Sequence, residues 1–65
     1  MTIQLNGEAA KTSAKTVTQL LKELGLADKP VIIEHNQTAL LKTEHETTPL
    51  SENDQLEVIT LAAGG

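Results

Sequence analysis

The chain has 65 residues, no Cys, no Phe, Trp or Tyr, and a formal charge of −4 with a pI near 4.9. Disulfide staples and thiolate metal sites are excluded, and one domain at most is left, too small to bury more than about 60% of its unfolded surface. Five scattered lysines with no aromatic platform exclude nucleic acid as a partner. No apolar run approaches the ~20 residues that span a bilayer, and no charged segment precedes an apolar stretch as in a signal peptide. The expectation is a soluble, cytoplasmic, aliphatic-cored protein, monomeric when free, with no membrane partner.

Thr2-Ile3-Gln4-Leu5 alternates polar and apolar, the period of a half-buried strand. Asn6-Gly7 follows, the pair best suited to a type I′ hairpin turn, so residues 9–12 are the returning strand, short and at an edge. After a link at 13–15, Thr16 is placed as an N-cap with Gln19 three residues on, a capping-box pattern. Val17, Leu20, Leu21 and Leu24 fall at i, i+3, i+4 and i+7, one apolar stripe of a helix. Gly25 supplies the left-handed residue that ends it, with Leu26 set to touch Leu21 as in a Schellman motif.

Asp28-Lys29-Pro30 breaks the chain. Val31-Ile32-Ile33-Glu34-His35 is a β-branched run that reads as a strand inside a sheet. Residues 36–38 are a turn and 39–41 a brief strand. Residues 43–49 read as polar surface, Leu50 as an isolated apolar anchor, and 51–54 as a turn in which Asn53 takes the left-handed conformation. Gln55-Leu56-Glu57-Val58-Ile59-Thr60-Leu61 is the last strand.

Strands before and after one main helix predict an α+β domain over residues 1–61, a mixed sheet of four to five strands with the helix on one face. If the last strand pairs beside the first, the arrangement is a β-grasp. Leu56 and Val58 then face the core, and alternation sends Ile59 and Leu61 to the opposite face. Ile32 joins them if Val31 and Ile33 point inward. Ile32, Ile59 and Leu61, with Ala62 and Ala63 beyond, form an expected partner-binding patch. A one-residue slip in register would exchange the faces.

Residues 62–65 are expected to be a flexible tail ending in Gly64-Gly65. Two terminal glycines arise by chance in only about 0.5% of chains at average glycine content of ~7%. A glycine pair has no Cβ to obstruct a narrow channel. Four extended residues reach about 13–14 Å, enough to carry the Gly65 carboxylate into another protein's cleft.

No other grouping on the chain carries chemistry. His35 ends an apolar strand, and His45 lies between Glu44 and Glu46; neither belongs to a set of three or four converging ligands. The expectation for both is a surface histidine, partly buried in the case of His35. Glu44, Glu46, Glu52 and Asp54 read as a solvated acidic face that steers basic partners. With no Cys, no Ser-His-Asp order and no phosphate-cradling Gly-rich loop, the chain reads as a substance acted on by enzymes, not as an enzyme.

Taken in order along the chain, Ile3-Gln4-Leu5-Asn6-Gly7-Glu8, Thr16-Val17 before Leu20-Leu21, Val31-Ile32-Ile33-Glu34-His35-Asn36, Leu56-Glu57-Val58-Ile59 and Gly64-Gly65 resemble the sulfur carriers of thiamine (thiazole) biosynthesis, a ubiquitin-like β-grasp family. Three positions depart from the family's pattern. Leu40-Leu41-Lys42 stands where a Val-Pro-basic triplet is usual, Asn53-Asp54 where Gly-Asp is usual, and Ala63 precedes the diglycine. The resemblance implies that an adenylating, E1-like partner uses ATP to activate the Gly65 carboxylate, with Gly64 as spacer. A sulfur-donating enzyme then provides the sulfur of a thiocarboxylate, which a thiazole synthase consumes. It implies no bound cofactor and no metal. Three readings stay open on the residues themselves: a sulfur carrier of this or a molybdopterin-type pathway, a protein modifier joined through Gly65 to a lysine, or a β-grasp interaction module. The molybdopterin-type carrier ranks lower, because those chains are usually longer and carry Phe.

Overall fold

The computed structural model describes residues 1–61; the tail, residues 62–65, lies outside the described residues. The elements are β1 (Thr2–Leu5), β2 (Glu8–Lys11), α1 (Val17–Glu23), β3 (Val31–His35), β4 (Thr38–Ala39), a 3-10 turn (Lys42–Glu44) and β5 (Gln55–Thr60). The sheet order is β2-β1-β5-β3-β4, with β1 and β5 parallel and every other pairing antiparallel. The last strand is thus inserted beside the first, and the β-grasp expectation holds with five strands.

Local chemistry explains the boundaries. Asn6 and Gly7 both have positive φ (51° and 84°), as a type I′ turn requires. That two-residue turn pairs Leu5 with Glu8, so β2 begins one residue earlier than expected. The Thr16 hydroxyl accepts from the Gln19 N–H at 3.2 Å. The reciprocal bond is displaced by one residue, because the Gln19 side chain accepts from Lys15 N–H rather than from Thr16. At the other end Gly25 has φ 75°. Leu26 N–H donates to Leu21 C=O and Gly25 N–H to Lys22 C=O, the two bonds of a Schellman ending. Leu24 departs from the predicted stripe. It is the C-cap, past the last helical turn, and its side chain is exposed.

The core is Ile3, Ala14, Val17, Leu20, Leu21, Ile33, Leu50, Leu56 and Val58. Alternation along β5 buries Leu56 and Val58 and exposes Glu57 and Ile59, as expected. The β3–β4 turn is tighter than expected. Asn36 and Gln37 alone occupy it, both with positive φ (49° and 72°), so β4 starts at Thr38. A left-handed glutamine is uncommon, and the conformation costs a non-glycine residue about 1–2 kcal/mol. Both hairpin turns are tied to the central strand β5 by their first residue. The Asn6 side-chain oxygen accepts from Val58 N–H at 2.8 Å, and that of Asn36 accepts from Gln55 N–H at 2.9 Å.

Candidate functional site

The sheet face opposite α1 carries the expected patch in altered form. Ile32 and Ile59 lie directly opposite one another across the β3–β5 ladder, exposed by 42% and 46%. Directly opposed antiparallel residues have Cβ atoms about 5 Å apart, so the two side chains make one surface. Leu41 extends it. Glu34 pairs with Ala39 and Leu40 N–H donates to Ile33 C=O at 2.9 Å, so continuing the register sets Leu41 opposite Ile32. Leu41 has extended backbone (φ −71°, ψ 153°) and is 69% exposed. Leu41, Ile32 and Ile59 thus form a row across three neighbouring segments. Leu41 lies outside the expected set of site residues; its signal in the sequence is the alternation that packs Leu40 against the core.

Leu61, the last residue of the predicted strand, stands just outside β5. It lies past the end of β5, held by its N–H donating to Pro30 C=O at 2.9 Å. It is exposed, and it lines a groove with Leu21, Ala27, Val31 and His45, flanked by Lys29 and Lys42. Leu21 and His45 are on the helix side of the sheet, so the root of the tail stands at the boundary between the two faces. Ala62, Ala63, Gly64 and Gly65 lie outside the described residues.

His35 is half-buried, as expected, whereas His45 and Asp54 differ from expectation. Asp54 is not part of a solvated face. Its carboxylate receives the Ser51 N–H at 2.9 Å and the Asn36 side-chain amide at 3.4 Å, and pairs with His35 Nε2 at 2.8 Å. Burial pushes the Asp54 pKa up, but the bonds from His35, Ser51 and Asn36 together outweigh it and hold the group below its usual value. This cluster fixes the turn before β5, at the end of the strand remote from Leu61. Glu44 and Glu52 also serve the backbone, accepting from Leu41 N–H and Thr2 N–H respectively. His45, expected on the surface, is buried, because its backbone is drawn in by Thr18 N–H donating to His45 C=O at 3.0 Å.

Burial holds the His45 pKa below its ordinary 6.5, with the Lys42 charge adding to the shift and Glu44 opposing it. A base with a depressed folded pKa stays neutral in the fold while the unfolded chain takes up a proton. Stability therefore falls as pH drops through about 6.5 and levels off below the folded value. Asp54 and Glu23 act in the same direction at lower pH, because their folded values are lowered too, Glu23 through bonds from Thr12 and then Ser13. Their contribution is present above the usual carboxylate values and is lost as pH falls through and below them. Acid denaturation should therefore show two separate losses, one just below neutrality and one near pH 4 and lower. Urea melts at half-unit pH steps check this, and His45→Gln should remove the upper loss alone.

Among the described residues no three His, Asp or Glu side chains gather as a metal site, and no helix is long and apolar enough to cross a membrane. What the described residues offer is a mount: a rigid sheet, an exposed aliphatic row, and a strand end that leads to the diglycine.

The comparisons agree with this form. The profile of the ThiS family matches residues 3–65. A sulfur carrier protein ThiS of Thermus thermophilus is 36% identical over 97% of this chain and 98% of its own length. A thiazole synthase of Paramagnetospirillum magneticum is 33% identical over the whole chain, which spans 20% of that protein. The crystal structure of a thiamine biosynthesis protein (ThiS) from Geobacter metallireducens superposes with a TM-score of 0.83 at 26% identity, each chain covered in full. On fold and on sequence along nearly its whole length, the chain belongs to the ThiS family.

Proposed function

We propose that this chain carries sulfur for thiazole formation on the carboxylate of Gly65. A carboxylate is a poor acyl donor, because substitution must expel oxide. In the proposed first step a Gly65 carboxylate oxygen attacks the α-phosphorus of ATP in an adenylating partner, and pyrophosphate leaves. Sulfide, supplied in reduced form by a sulfur-donating partner, then attacks the acyl carbon as HS−, expels AMP and gives its proton to solvent, leaving a thiocarboxylate. Its sulfur is the nucleophile taken up by a thiazole synthase.

The observation that carries this reading is the family match running through residue 65, diglycine included. Two further observations support it. The last strand bears Ile59, five residues before Gly64 in sequence, and its exposed aliphatic row offers partners a surface. And a relative named thiazole synthase holds, within a fifth of its length, a stretch similar to this entire chain, which favours such a synthase as the acceptor. The described residues contribute recognition and positioning; activation and transfer are the work of the partners.

Genetics tests the pathway. Deleting the gene should create a thiamine requirement that the full chain relieves and the chain lacking Gly65 does not. Growth without thiamine after deletion would contradict the assignment.

A further inference from the structure

The aliphatic row is bordered by an electrostatic arrangement that the isolated chain does not resolve. Glu34 of β3 and Glu57 of β5 are directly opposed in the ladder. By alternation they share the face of Ile32 and Ile59, and with Gln37, Gln55 and Ile59 they line one surface hollow of about 360 Å³. Like charges directly opposite on a sheet destabilise it. Among the described residues neither carboxylate has an ion-pair or hydrogen-bond partner, the one salt bridge there being His35 with Asp54. Glu23 binds Thr12 and Ser13, Glu44 binds Leu41 N–H, and Glu52 binds Thr2 N–H; among the described residues Glu8, Asp28 and Glu46 also lack partners, but none of them is directly opposed to another carboxylate in a strand pair.

We propose that this face docks a partner-protein segment that lays aliphatic side chains along Leu41, Ile32 and Ile59 and places an arginine or lysine between Glu34 and Glu57. The inference rests on the proposed carrier function and specifies the chemistry its adenylating partner presents. A cation between the two carboxylates would relieve their repulsion only in the complex, so the charge pair weakens the free sheet and strengthens association. Complementary charges of this kind act mainly on encounter rate and partner choice. A second copy of this chain is a poor occupant, because it would bring two more carboxylates to the same hollow.

That opposition between stability and binding is the test. Glu57→Gln and Glu34→Gln keep shape and remove one charge each. Either change should raise the thermal midpoint of the free chain. In ATP–pyrophosphate exchange by the adenylating partner, each should raise the KM for the carrier about fivefold to tenfold with kcat little changed, and should flatten the dependence of KM on salt. Glu8→Gln, on the remote edge strand β2, should change neither KM nor its salt dependence, which separates a local contact from loss of net charge. A raised midpoint with KM and salt dependence unchanged would overturn the proposal, as would self-association of the wild-type chain that either variant abolishes. Failure of the wild-type chain to support exchange at all would instead count against the carrier reading itself.

Discussion

Replacing Gly64 by Val should slow thiocarboxylate formation by about a hundredfold without unfolding the protein. In the proposed adenylation the reacting oxygen of Gly65 has to approach the α-phosphorus to about 3–3.5 Å, and a misplacement of 1 Å costs on the order of 10²-fold in rate. A β-branched side chain one residue away adds bulk where the glycine has none, and it narrows the backbone angles open to the tail. The strands of the described residues end at Thr60, so the melting curve should match the parent chain. Single-turnover assays followed by intact mass give the rate, and Gly64→Ala should fall between parent and Val. A Val variant reacting at the parent rate would remove the narrow-channel account of the diglycine.

Replacing Leu56 by Ala should leave the chain largely unfolded at 25 °C. Leu56 is 1% exposed, sits in the central strand, and pairs with Leu5 on one side and His35 on the other. Truncating a buried leucine costs about 2–5 kcal/mol, whereas a core in a domain this small rarely supplies more than ~3–5 kcal/mol. With no disulfide or aromatic side chain to compensate, the two figures nearly cancel. Circular dichroism should show lost sheet signal and a shallow or absent thermal transition. Leu41→Ala, at a side chain 69% exposed, should shift stability by no more than about 0.5 kcal/mol. A cooperative melt of the Leu56→Ala chain close to the parent's would contradict this picture of the core.

Much of this architecture was legible because short-range rules and the long-range fold agree. Asn6-Gly7 and the Thr16-to-Gly25 helix signals each act over a few residues, and both form as their chemistry dictates. Alternation in β5 identified Leu56 and Val58 as core and Ile59 as exposed. The misses come where tertiary contacts decide. Gln37 enters the left-handed region because β3 and β4 must close over two residues, a demand its own identity does not advertise. His45 looks like surface between two glutamates, yet a backbone bond from Thr18 draws it against the helix. Asp54 looks solvated until β5 brings it beside His35, nineteen residues away. Leu41 is the subtler case, because its place beside Ile32 depends on the register of β3 with the segment after β4. The exposure of Ile32 and Ile59 could be read from period alone; what meets them could not.

The most direct measurement is the intact mass of the chain after incubation with its adenylating partner, ATP and a sulfur donor. The account predicts a gain equal to exchange of one oxygen for sulfur, dependent on ATP and absent when Gly65 is deleted. No gain in the full chain, or a gain that survives deletion of Gly65, would contradict it; adducts on lysines of other proteins would point instead to a modifier.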